Sequence, residues 1–63
     1  MTPTQYKAAI KVLGLNQEQS GVWLGLSGRT GQSYANGEHP IPEPVAKLIR
    51  LCIRLNLTPS EVD

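Results

Sequence analysis

Four times in 63 residues, a short polar side chain stands where a helix would begin, followed by residues suited to hold that beginning in place. Thr2-Pro3-Thr4-Gln5 offers a Thr N-cap, a proline at the first helical position and a glutamine placed to close a capping box. Asn16 with Gln19 repeats the box, Ser27 opens a third helix, and Thr58-Pro59-Ser60-Glu61 restates the first signal. Stops are as plain: Gly14 and Gly25 can take the left-handed backbone that ends a helix, and Asn56 can do the same. No stretch alternates with period two. The expected fold is all-α, a compact bundle of four short helices plus a C-terminal helical turn.

Helix one should carry Tyr6, Ala9, Ile10 and Leu13 on its inward face. Helix two should span about 17–24 and helix three should run from the Ser27 cap to about residue 35. Residues 38–44 hold three prolines and should form an ordered loop, with helix four starting near Pro42 or Glu43 and reaching about residue 55.

A chain of this length supports one domain with one small core, which rarely leaves more than roughly 3–5 kcal/mol of net stability. Cys52 is the single cysteine, so no disulfide can form within the chain, and in an apolar helix pattern it should pack as a small hydrophobe. One Cys and one His are too few ligands for zinc, and no cofactor or small-molecule ligand is expected. The lone His39, the lone Cys52 and the scattered carboxylates supply no set of nucleophile, base and orienter, so a non-enzymatic protein is expected. The start is not a basic leader, and Lys47, Arg50 and Arg54 interrupt the longest apolar stretch. A cytoplasmic chain with no membrane partner is expected.

Residues 17–36 carry the functional signal. Arg29, Gln32, Ser33 and Asn36 follow the i, i+3, i+4, i+7 rhythm that sets four side chains on one side of a helix. All four can hydrogen-bond and none is acidic, as a helix reading base edges in a DNA groove requires. Arg29 suits the O6 and N7 acceptors of guanine, Gln32 suits adenine, and Ser33 can reach a base or a phosphate. Gln17, Ser27, Gly28, Thr30 and Asn36 fall at helix ends or beside them, where phosphate contacts are expected. The acids Glu18, Glu38, Glu43, Glu61 and Asp63 lie mostly at helix starts or in loops, and none falls between Gln19 and Gly37. The net charge of only +1 implies weak attraction to phosphates by a single copy. Gly21 in mid-helix marks the point where helices two and three should cross. A Val there should be disruptive and an Ala tolerated. Leu24, Leu26 and Tyr34 should fill the wedge between the helices, and Trp23 should occupy the space left by Gly31.

This segment resembles the helix-turn-helix of the lambda-repressor/Cro-like regulators, the xenobiotic-response-element family. The resemblance runs from Leu15-Asn16-Gln17-Glu18 through Trp23-Leu24-Gly25-Leu26-Ser27 to Arg29-Thr30 and Tyr34-Ala35-Asn36-Gly37. Gly37-Glu38-His39-Pro40-Ile41-Pro42 is similar to the Gly-x-x-Pro loop that follows the recognition helix in many members. Two positions depart: Ser20 stands where the family usually has an apolar residue, and Gly31 where it has Val or Ala. The resemblance implies sequence-specific binding of double-stranded DNA by helix three in the major groove, in a small bacterial or phage transcriptional regulator. An antitoxin-like or other protein-interaction module using helix four is the alternative.

Helix four carries more apolar surface than one small core can absorb: Val45, Leu48, Ile49, Leu51, Cys52, Ile53 and Leu55 surround a narrow stripe of Lys47, Arg50 and Arg54. A two-fold homodimer through this helix, with Ile49 and Ile53 on its surface, is the expected use of that surplus, the alternative being that it covers helix one and the terminal turn.

Overall fold

The computed structural model describes residues 1–62, and every element within them is helical. In chain order these are α1 (Pro3–Val12), α2 (Gln17–Trp23), α3 (Gly28–Asn36), α4 (Glu43–Arg54) and a terminal turn, α5 (Pro59–Val62). None of them is long and apolar enough to cross a membrane.

The starts form by the chemistry read from the sequence. Thr2 Oγ1 accepts from the Gln5 amide at 3.1 Å, while Gln5 Oε1 accepts from the Thr2 amide at 2.9 Å. Asn16 and Gln19 make the same reciprocal pair at 2.7 and 3.0 Å. Ser27 Oγ caps Thr30 at 3.1 Å. Gly14, Gly25 and Gly37 turn the chain with φ of 79, 80 and 78°, and Asn56 does so at 56°. α4 begins without a side-chain cap: Pro42 precedes it, and Pro44 lies inside its first turn rather than in the loop.

The fourth start is half of a capping box. Glu61 Oε1 accepts from both the amide and the hydroxyl of Thr58, at 3.0 and 2.9 Å, but the Glu61 amide turns to the Thr58 carbonyl instead of its side chain. These two bonds hold the exposed Glu61 carboxyl below its ordinary value. A carboxylate whose folded value is depressed adds its stabilisation above the unfolded value and loses it as pH falls through the folded one. Acidification should therefore weaken the Thr58–Glu61 cap at the start of α5, visible as an upfield move of the Thr58 amide proton with an apparent pKa below that of an ordinary Glu. A Thr58 amide that titrates at the usual carboxylate value, or not at all, would contradict this.

The core gathers Tyr6, Ala9 and Ile10 from α1, Tyr34 and Ala35 from α3, and Ile49 from α4, with Leu13, Leu15, Trp23, Leu24, Ile41 and Val45 packed around them. Tyr6 and Tyr34 meet edge to face, their ring centres 5.7 Å apart. Cys52 is buried, as its apolar setting predicts. Leu26, by contrast, stays 46% exposed and takes no place in the wedge between α2 and α3. Trp23 is tied elsewhere too: its indole N–H donates to the Pro59 carbonyl at 3.0 Å, fastening α5 to α2.

No space at Gly31 awaits a large ring. A Cβ there would stand 2.2 Å from the Gln17 carbonyl oxygen and 2.6 Å from the Gly21 nitrogen. One at Gly21 would stand 2.0 Å from the Ser27 carbonyl oxygen. The two glycines face each other, and α2 and α3 touch backbone to backbone. Gly21→Ala is therefore not the tolerated change that helix crossing alone suggests, because its methyl collides with main chain.

Candidate nucleic-acid interface

Ser20 explains how so close a crossing stays satisfied. It is fully buried, and its Oγ donates to the Gln17 carbonyl at 2.7 Å while lying 2.6 Å from the Tyr6 hydroxyl. A serine has one proton, and a carbonyl can only accept, so the Tyr6 hydroxyl is the donor to Ser20. A Cβ at Gly31 would lie 2.9 Å from this same Oγ. The two departures from the resembled pattern are thus one adjustment: a polar residue on α2 faces a bare glycine on α3 and is completed by a phenol from α1. Burial raises the Tyr6 phenol above its ordinary value.

Ser20→Ala removes the one partner that the buried Tyr6 hydroxyl has among the described residues and should cost about 1–3 kcal/mol in urea unfolding. Tyr6→Phe leaves Ser20 still bonded to Gln17 and should cost less. Adding Tyr6→Phe to Ser20→Ala should recover part of the loss. Simple additivity of the two changes would mean that the hydroxyls are not coupled.

On this base the outer side of α3 presents Arg29, Gln32 and Asn36 to solvent. Ser33 does not join them. Its residue is only 7% exposed, which removes it from the base-reading set. It stands at one edge of the arc, and α1 packs against α3 with Pro3 beside Gly37, at the end of α3 where Ser33 lies. The Ser33 carbonyl is also occupied, accepting from the amides of Gly37 and Glu38.

The residues expected at phosphates are distributed as follows. Ser27 is exposed, but its Oγ both caps Thr30 and lies 2.9 Å from the Thr30 hydroxyl, so the pair is a closed unit at the start of α3. Gly28 and Gln17 are half-buried, and Asn36 is exposed at the far end of α3. Glu18 is the residue that sequence reasoning missed. It lies outside the acid-free interval in sequence, yet a Cβ at Gly28 would stand 2.3 Å from Glu18 Cγ, which sets this acidic side chain against the first turn of α3. The spacing of Gly28 ten residues after Glu18 holds no helical signal; only the α2–α3 crossing joins them. Lys7, Lys11 and His39 are exposed. Among the described residues no group of His, Cys, Asp and Glu side chains could hold a metal ion.

On α4 the expected dimer residues separate. Ile49 is fully buried in the core and cannot meet a second copy, whereas Ile53 is 37% exposed. Two helical residues on from Lys47 is about 200° around the axis, so a solvent-facing Lys47 sends Ile49 inward.

The chain matches no protein-family model, no curated protein and no solved structure.

Proposed function

We propose that this chain is a sequence-specific, non-enzymatic binder of double-stranded DNA that inserts α3 into the major groove, in the manner of a small bacterial or phage transcriptional regulator. The observation that carries the reading is the pairing of an exposed Arg29-Gln32-Asn36 row with a bare-backbone crossing behind it. Amide and guanidinium side chains on one helix face match base-edge donors and acceptors. The Gly21–Gly31 contact fixes the helix that bears them to α2, and such rigidity lets three side chains act together. Arg29 and Gln32 are the base readers and Asn36 grips the backbone at the far end of α3, while Glu18 disfavours phosphate at its first turn.

With a net charge of +1, affinity for arbitrary DNA should be low, so specificity has to come from base contacts. The test is selection from a pool of random duplexes at low salt, followed by amide-shift mapping with the enriched sequence. Enrichment of a consensus, with shifts concentrated on α2 and α3, supports the reading. A pool that stays random after repeated rounds refutes it.

A further inference from the structure

Among the described residues no element covers the outward side of α4. Lys47, Arg50 and Arg54 are exposed, as are Leu51 and Leu55 at 51% and 58%. Spacings of three and four residues align them as two neighbouring rows, Leu48-Leu51-Leu55 and Lys47-Arg50-Arg54. A shallow groove of about 360 Å³ runs between Lys47, Arg50, Leu51 and Arg54. The only acid on the helix, Glu43, is already paired with Arg50 at 3.1 Å.

From this we infer that the α4 face is a docking surface for an acidic amphipathic helix of another protein, whose leucine-like row packs on Leu51 and Leu55 while its carboxylates meet Lys47 and Arg54. Charge decides among the occupants. A second copy of this chain would bring the same three cations and one acid that is already engaged, so its electrostatics oppose a two-fold contact here. An acidic helix reverses that sign and covers the exposed leucines, and opposite charges beside an apolar seam fix register and orientation. α4 packs mainly on α1, whereas the base-reading row lies on α3, so the two surfaces serve different partners.

The probes are two synthetic peptides of identical composition, rich in Leu and Glu. One places leucines at i, i+3, i+7 with glutamates beside them, and the other is scrambled. The amphipathic peptide should bind at least tenfold more tightly, shifting amides of α4 and not those of α3. Leu51→Gln with Leu55→Gln keeps the charge and should erase that tenfold preference without lowering the melting temperature. Equal affinity for both peptides would overturn the inference, reducing the face to a patch of bare charge. Sedimentation showing dimers of the free protein that the double variant abolishes would overturn it in favour of self-association. Tighter binding to vesicles of anionic lipid than to the peptide would overturn it in favour of a membrane surface. Selection of a DNA consensus is read separately on α2 and α3, so either result can stand without the other.

Discussion

Gly31→Ala should lower stability by about 3 kcal/mol, near the top of the usual range for overpacking, although it replaces a poor helix former with the best one. Helix propensity alone predicts the opposite sign, a gain of about 1 kcal/mol. The packing term wins because the new methyl would stand 2.2 Å from one backbone oxygen and 2.6 Å from a backbone nitrogen. Neither atom can swing aside as a side chain could. Relief requires α2 and α3 to separate, and a shift of α2 strains the Tyr6–Ser20 hydrogen bond that ties it to α1. Gly21→Ala should behave alike, its methyl 2.0 Å from the Ser27 carbonyl oxygen.

For a domain of this size, about 3 kcal/mol corresponds to a fall of about 12–24 °C in melting temperature. Set against roughly 3–5 kcal/mol of total stability, a Val at either position should leave the chain unfolded at room temperature. Two other glycines serve as controls. Gly28→Ala meets the side chain of exposed Glu18, which can take another rotamer, and the Glu18 carbonyl oxygen at an ordinary 3.4 Å, so it should change stability little. Gly25→Ala meets nothing within 4 Å but must hold φ near 80°, so it should cost about 1–2 kcal/mol through the backbone alone. Thermal unfolding of the four alanine variants checks the order. If Gly31→Ala or Gly21→Ala melts at or above the wild-type temperature, the helices do not meet backbone to backbone.

The contrast between these glycines marks what could be read from the chain and what could not. Gly14 and Gly25 were legible as turns, because ending a helix is a local act and a left-handed residue is its local signature. Three of the four starts formed as the i, i+3 pairing dictates, for the same reason. Gly31 was read as a missing side chain beside which Trp23 could settle, since nothing in its own neighbourhood reveals the Gln17 carbonyl against it. Ser20 was an anomaly until Tyr6, fourteen residues away, supplied its partner. Ser33 and Ile49 failed similarly. Helical spacing sorts residues into arcs, but the neighbouring helix decides where an arc stops being solvent. Periodicity admitted Ser33 to the polar arc, while its burial depends on how the other helices close over α3. The sequence of α4 holds more apolar residues than one core can use, but only the burial pattern takes Ile49 out of that surplus and leaves Leu51, Ile53 and Leu55 at the surface.

Arg29→Ala carries the largest expected functional effect, a loss of about 1–3 kcal/mol in specific binding, or roughly fivefold to 150-fold in affinity. With Ser33 turned inward, the base-reading row rests on Arg29 and Gln32, and Arg29 is the only cation between Gln17 and Gly37. Its guanidinium makes no ion pair among the described residues, so removing it leaves no orphaned carboxylate and should not alter the fold. Two outcomes separate a reader from an anchor. If Arg29 reads a guanine, the variant should lose its preference at one position of the selected consensus while its affinity for unrelated duplexes is nearly unchanged. If it holds a phosphate, every sequence should weaken alike and the salt dependence should become shallower by about one unit of log–log slope. Arg29→Lys sharpens the comparison: a point charge can replace an arginine at a phosphate, but it cannot reproduce the planar fork that spans O6 and N7. Lysine should therefore restore affinity without restoring the base preference. Should Arg29→Ala leave both affinity and consensus unchanged, α3 is not the helix that reads DNA, and the proposed function falls with it.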